Sequence, residues 1–151
     1  SAPTNASGPR RRWWVAGSKP MNAGLFLAAG EWIAPMDDDD ELTPTHVEDL
    51  VRFAHANRLE FVWSKAVTYM PGGLPPLYIG NSKLESGQVS HGSVLYSMGL
   101  SDILYSPTSY EILEASDWNL WKRIRRAGAR MGYLDEVTYM AWRAGRGQYE
   151  T

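Results

Sequence analysis

The sequence contains no cysteine and no long hydrophobic run. The absence of cysteine excludes a disulfide scaffold and a thiolate-bound zinc site, and it is compatible with a reducing compartment. The longest clean apolar stretch, Gly24 to Gly30, is far shorter than the roughly 20 residues that a membrane-spanning helix needs. We therefore expect a protein without a transmembrane segment, in the cytoplasm, with a peripheral position on a membrane as the open alternative.

The sequence also lacks a strong net charge. Its 151 residues suffice for one domain with its own core, and the net charge of -2 argues against a nucleic-acid partner. Basic residues are concentrated in Arg10-Arg11-Arg12 and in the segment 122–130. We interpret the second group as a solvated helix face, with contact to an anionic membrane surface or a partner as its functional alternative.

Acidic charge, in contrast, is concentrated in one place. The run Asp37-Asp38-Asp39-Asp40-Glu41 follows the apolar segment Glu31 to Met36. Five adjacent carboxylates repel one another unless they are solvated or share a cation. Two interpretations stay open: a solvated turn that caps the next helix, or a site for a hard divalent cation at the end of a strand, where ligands bind in α/β folds.

The remaining patterns predict alternating helices and strands, which is typical of an α/β layered domain. Thr43 and Pro44 form a strong helix start, and Val47, Leu50, Val51 and Ala54 follow at helical spacing. We predict a disordered tail over 1–12, helices over 21–29, 43–57 and 116–127, and strands over 12–16, 31–36, 59–69, 77–81, 89–97, 130–134 and 137–142.

Two titratable residues outside the acidic run, Asp117 and His91, are candidates for function. Asp117 follows the predicted cap Ser116, where the helix dipole favours an ionised carboxylate, so it is either a helix-stabilising acid or a general base. His46 and His55 are nine residues apart on one predicted helix and are expected at the surface. His91, in a polar segment, is either a structural histidine or a contact for a phosphate or an acceptor.

Together these segments resemble the inverting glycosyltransferases of family 2, which have the GT-A fold. That family has an Asn-x-Gly segment, a Gly-Glu-aromatic-Ile strand, an Asp-x-Asp motif and a helix-opening proline. The corresponding residues here are Asn22-Ala23-Gly24, Gly30-Glu31-Trp32-Ile33, Asp37 to Asp40 and Pro44. The segment 116–124 resembles the helix start that carries the family's catalytic base, with Ser116 where the family usually has Glu.

The resemblance implies a specific chemistry. A nucleotide-diphosphate sugar would donate its sugar, with inversion, to an acceptor hydroxyl on a saccharide, lipid or protein. Mn²⁺ or Mg²⁺ would be the cofactor, with Asp39 and Asp37 as metal ligands and Asp40 in a supporting role. Asp117 would be the catalytic base. The residues implied in binding the nucleotide sugar are Asn22, Asp37, Asp38 and His91.

The resemblance also implies an organisation. Residues 13–151 would form a GT-A-like mixed sheet flanked by helices, after the basic tail, and this domain would be incomplete at its N-terminal side. An open sheet edge would then pair with a partner or with a second copy. Two other functions stay open: a non-catalytic binding or assembly module with the same fold, and a metal-dependent phosphate hydrolase.

Overall fold

The computed structural model describes residues 9–143, so residues 1–8 of the predicted tail lie outside the described residues. Helices and strands are interspersed along the described residues. The helices are α1 (Pro9–Val15), α2 (Ser18–Leu27), α3 (His46–Asn57) and α4 (Ser116–Arg126). The strands are β1 (Trp32–Ile33), β2 (Glu41–Leu42), β3 (Phe61–Tyr69), β4 (Leu77–Ile79), β5 (Val94–Ser97) and β6 (Met131–Trp142).

Within residues 9–143, the six strands form one mixed sheet in the order β1-β5-β3-β6-β2, with β4 beside β3. Strands β3 and β6 run parallel, whereas the other pairs are antiparallel. The central strand β3 is almost entirely buried, because helices cover both faces of the sheet. Six of its nine residues are apolar or aromatic, as expected for a strand without a solvent face, and the polar Ser64 and Thr68 are buried as well.

The core lies on both faces of the sheet. Because side chains alternate along a strand, Phe61 and Trp63 of β3 point to one face and Val62 to the other. Phe61 packs against Trp121 of α4 with ring centroids 5.2 Å apart. On the opposite face, Val62 packs in a smaller cluster with α3. The α/β prediction and the apolar face of α4 are therefore confirmed.

Two predictions near the N-terminus are wrong. Residues 9–12 were predicted as part of a disordered tail and 12–16 as a strand, but Pro9–Val15 is helical. Proline is favourable in the first turn of a helix, where its missing N–H leaves no bond unmade. The strand prediction rested on the β propensity of tryptophan and valine, which depends strongly on tertiary context.

The predicted apolar face of α3 is confirmed at Leu50 and Ala54, which are buried, but two residues at the start of the helix differ from the prediction. His46 was expected at the surface but is 1% exposed, whereas Val47, predicted for the apolar face, is 47% exposed. His46 Nδ1 lies 2.7 Å from Thr138 Oγ1 and 3.1 Å from the Thr138 carbonyl oxygen. His46 lies four residues before Leu50 on the same helix face, and Thr138, 92 residues away in the sequence, satisfies its ring there. His55 is exposed, as predicted.

The last strand is continuous, where two strands were predicted. An irregularity in the pairing of β3 with β6 places Ser64 opposite Leu134 and Lys65 opposite Val137. The two intervening acidic residues are exposed, and Asp135 forms an ion pair with Lys65 at 2.6 Å. A bulge of this kind keeps a strand in register while it admits extra residues. Among residues 9–143, no helix combines the length and apolar character needed to cross a membrane.

Candidate active site

The acidic residues form a turn that crosses the sheet. Strands β1 and β2 lie at opposite ends of the strand order, so residues 34–40 must pass across the sheet between them. Asp37 to Asp40, the acidic turn, reverses the chain there, with the Asp40 N–H 3.4 Å from the Asp37 carbonyl oxygen. The tip of this turn, Asp38 and Asp39, is exposed.

Each end of the acidic turn is held by an aromatic side chain. His91 Nδ1 lies 3.0 Å from Asp37 Oδ1. At the other end, the Tyr139 hydroxyl donates a hydrogen bond to Asp40 Oδ2. The two outer carboxylates are therefore engaged with the protein, while Asp38 and Asp39 face solvent.

The two engaged carboxylates are perturbed in opposite directions. The hydrogen bond from His91 lowers the pKa of Asp37, because it stabilises the charged form. Burial raises the pKa of Asp40, and the neighbouring charges of Asp39 and Asp37 add to that effect. Burial also raises the pKa of Tyr139, so its hydroxyl stays protonated and available as a donor.

Asp117 lies in the first turn of α4, as predicted, but its charge is not favoured as predicted. Ala115 occupies the cap position, and Asp117 Oδ1 accepts a 2.7 Å bond from the Trp118 N–H. Burial nevertheless raises the pKa of Asp117, and the contributions of His91 and the Trp118 N–H oppose it without cancelling it. The expectation that the helix dipole keeps this carboxylate ionised underestimated its desolvation.

These groups meet in a cleft of about 450 Å³. Its lining includes the carboxylates of Asp37, Asp38, Asp39 and Asp117 together with His91. Aromatic and apolar side chains line it as well: Trp13, Trp14, Met21 and Tyr105. The sequence motifs did not assign these four residues to the site.

Asn22 is not among the described residues that line the cleft. Its side-chain amide bonds both backbone groups of Tyr105: Nδ2 donates to the carbonyl oxygen at 2.9 Å, and Oδ1 accepts from the N–H at 2.8 Å. The role in donor binding that the resemblance implied for Asn22 stays a prediction.

The site offers oxygen ligands for a hard cation. Within residues 9–143, no group of three or more His, Asp or Glu side chains is arranged to hold a metal ion. A cation bound with a diphosphate needs only one or two protein carboxylates, since phosphates and water supply the remaining ligands. Asp39, exposed in the cleft, and the second carboxylate oxygen of Asp37 fit that requirement.

The basic face of α4 is only partly solvated: Arg125 and Arg126 are exposed as expected, whereas Lys122 and Arg123 are half-buried. Lys122 pairs with Glu114. Arg123 donates to the Leu104 carbonyl oxygen, and Arg125 donates to that of Leu84 at 3.3 Å. These side chains therefore fasten the segments before α4 to the helix.

Comparisons with known proteins agree with this picture. The family described as Glycosyl transferase family 2 matches residues 10–84. The structure of S. aureus TarS 1-349 in complex with UDP-GlcNAc is 20% identical with a TM-score of 0.64, over 84% of this chain and 39% of that chain. The same TarS segment in complex with UDP is 20% identical with a TM-score of 0.62, over 89% and 42%.

The likeness to TarS concerns the fold, and this chain spans about two fifths of the length of TarS 1-349. No curated protein matches the sequence. The family match covers α2 and the acidic turn, and the structural match extends the likeness to most of the chain. Through residues 10–84 the chain thus belongs to glycosyl transferase family 2, within a GT-A-like α/β fold.

Proposed function

We propose that this chain carries the site of a glycosyltransferase that moves a sugar from a nucleotide-diphosphate donor to an acceptor hydroxyl, with inversion. The observation that supports it most is the convergence of the acidic turn and Asp117 on one cleft, from segments about eighty residues apart. The carboxylates of the acidic turn can then bind the metal and diphosphate, while the Asp117 carboxylate acts on the acceptor.

We assign the diphosphate end to the acidic turn. Asp39 and the second oxygen of Asp37 would hold Mn²⁺ or Mg²⁺, with Asp38 beside them. When bound, such a cation stabilises the charge that develops on a departing diphosphate. The hydrogen bond from His91 keeps Asp37 ionised and therefore available to a cation.

We assign the acceptor end to Asp117. As general base it would take the proton from the acceptor hydroxyl while that oxygen attacks the anomeric carbon from the side opposite the diphosphate. The anomeric configuration inverts because a single displacement reverses it. The raised pKa of Asp117 brings it closer to the working pH, which improves a carboxylate as a proton acceptor.

The aromatic lining of the cleft supports a carbohydrate substrate. Trp13 and Trp14 lie on α1 and line the same cleft as the carboxylates. Flat aromatic faces suit the apolar face of a sugar ring, while carboxylates suit its hydroxyl groups. The cleft offers both kinds of surface within about 450 Å³, a volume within the range of small-molecule sites.

Calorimetry with UDP tests this proposal directly. We expect UDP to bind in the presence of Mn²⁺ and to bind much more weakly with a chelator. Asp39→Asn should remove the Mn²⁺ dependence. The matched control is Asp135→Asn, because Asp135 is an exposed carboxylate outside the cleft.

A folded protein that binds no UDP with or without Mn²⁺ would contradict the proposal. Release of free sugar or phosphate from a nucleotide sugar without any acceptor would favour a hydrolase instead. Retained UDP binding without transfer to any saccharide, lipid or protein acceptor would favour a binding module.

A further inference from the structure

Asn22 fixes a segment that has no regular secondary structure of its own. Tyr105 lies between two 3₁₀ turns, Met98–Leu100 and Ser109–Ile112, where no strand or helix ladder satisfies its backbone. Buried backbone groups need partners, and the Asn22 amide supplies both, at 2.9 and 2.8 Å. Asn22 therefore fixes the position of the Tyr105 backbone, from which the side chain extends.

The Tyr105 side chain then fixes His91. Its hydroxyl lies 2.8 Å from His91 Nε2, and the two rings meet edge to face with centroids 5.7 Å apart. Burial raises the pKa of Tyr105, so the hydroxyl keeps its proton and can donate to Nε2. The other face of His91 is covered by Trp121 of α4, with centroids 6.1 Å apart.

His91 in turn fixes Asp37. An ionised carboxylate only accepts hydrogen bonds, so the 3.0 Å contact requires a proton on His91 Nδ1. In a neutral ring, Nε2 then has no proton and accepts from Tyr105. Both ring nitrogens are engaged inside the protein, and the His91 side chain is only 14% exposed.

We propose that Asn22, Tyr105 and His91 form one positioning network that orients the Asp37 carboxylate in the cleft, so that Asn22 and His91 act on the donor through Asp37 without touching it. The inference rests on the proposed function for the identity of the donor. It differs from a direct contact of His91 with the nucleotide sugar, and the two assignments predict different affinities for the variants below.

Two isosteric variants of His91 separate the alternatives. The amide nitrogen of asparagine occupies the place of Nδ1, so His91→Asn keeps a donor for Asp37. The amide of glutamine reaches the place of Nε2, so His91→Gln keeps the contact with Tyr105 and loses the donor. Both remove the ring that packs on Trp121, so each is the matched control of the other.

If the network exists, His91→Gln should weaken the binding of UDP with Mn²⁺ by about tenfold or more, because it removes a hydrogen bond to a charged acceptor. His91→Asn keeps that bond and should weaken UDP binding clearly less. Tyr105→Phe, which removes one hydroxyl, should weaken it about fivefold. In the double variant, the fold-loss of UDP affinity should be smaller than the product of the losses in Tyr105→Phe and His91→Gln, because both changes break the same chain of hydrogen bonds. Melting temperatures confirm that each variant is folded.

The tautomer of His91 is a readout independent of metal and nucleotide. Nitrogen NMR of the free wild-type protein should show the proton on Nδ1, and Asp37→Asn should remove that preference. A proton on Nε2 alone would overturn the network. So would equal losses of UDP affinity in His91→Asn and His91→Gln together with wild-type affinity in Tyr105→Phe.

Wild-type protein that binds no UDP defeats the proposed function, and with it the donor side of this inference. In that case the tautomer measurement still decides whether the network holds Asp37. The two failures are therefore distinguishable.

Discussion

At the scale of the residue, the environment of Asp117 disfavours its ionised form and at the same time suits its proposed role as general base. Burial raises its pKa, so the ionised form costs stability in the folded protein. We expect Asp117→Asn to lower kcat by about 10²–10⁴-fold, the usual contribution of a general base, while UDP affinity is retained. At neutral pH the same variant should raise the free energy of unfolding, by on the order of 1 kcal/mol. Exposed Asp102 provides the control Asp102→Asn, which should change neither quantity.

The same carboxylate should set the acid limb of the pH profile. Since the pKa of Asp117 is raised, the base becomes ionised only above the pH at which an ordinary aspartate titrates. We expect kcat/KM to fall with decreasing pH at a higher pH than an ordinary aspartate would cause. Stability should change in the opposite sense, because a raised pKa stabilises the fold at low pH and this contribution is lost as pH rises through the folded value. A wild-type acid limb near the ordinary aspartate pKa would contradict this assignment.

Residue positions were easier to predict than residue environments. The sequence pattern placed Asp117 correctly in the first turn of α4, although Ala115 occupies the cap position predicted for Ser116. The direction of its pKa was not predictable from the same pattern, since the desolvation comes from segments far away in the sequence. His46 shows the same limit: Thr138, the polar partner of its buried ring, lies 92 residues away and no local pattern reveals it.

At the scale of the element, the 3₁₀ turn His91–Ser93 supports both ends of the acidic turn. His91 holds Asp37, and the adjacent Gly92 allows the Tyr139 ring to lie close enough to hold Asp40. A Cβ on Gly92 would lie 2.0 Å from Tyr139 Cε2, a distance that real atoms do not adopt. Glycine is therefore required here for a close approach, and its φ is not in the left-handed region.

Gly92→Ala should consequently displace Tyr139 and loosen the acidic turn. We expect a loss of about 1–3 kcal/mol in the free energy of unfolding, as for other overpacked sites, together with weaker UDP binding in the presence of Mn²⁺. Gly99→Ala in the next 3₁₀ turn is the matched control, because its added Cβ would meet only Ser97 Oγ at 3.5 Å. Equal stability of the two variants in urea denaturation would show that Tyr139 does not depend on Gly92.

The elements themselves were predictable where one periodicity acted alone. The apolar spacing of Leu120, Trp121 and Ile124 predicted α4, and Gly128 with φ 89° ends it as expected. The segment 31–36 was predicted as a strand, but only Trp32–Ile33 pairs, because the chain leaves the sheet there to cross it. A short apolar run indicates that a segment is buried, but it does not indicate how many of its residues pair with a neighbouring strand.

At the scale of the whole molecule, strand order creates the site. The acidic turn crosses the sheet because β1 and β2 lie at opposite ends, and α4 brings Asp117 to the same cleft from the other end of the chain. Strand order follows from pairings between distant segments, which the sequence patterns did not contain. The resemblance to family 2 predicted the GT-A-like fold and the two acidic segments, whereas the aromatic lining of the cleft and the hydrogen bonds that hold Asp37 required the structure.

This arrangement predicts that ligand binding stabilises the entire domain. A ligand in the cleft would contact α1, the acidic turn and the start of α4 together, and these segments unfold with the sheet that carries them. At a UDP concentration one hundred times its dissociation constant, with Mn²⁺ present, the free energy of unfolding should rise by about 2.7 kcal/mol. For a domain of this size that corresponds to an increase of about 5–10 °C in the melting temperature. Asp39→Asn should abolish the increase in melting temperature that Mn²⁺ and UDP produce together. The control Asp135→Asn should keep that increase. If saturating ligand leaves the melting temperature of the wild-type protein unchanged, the cleft does not link these segments.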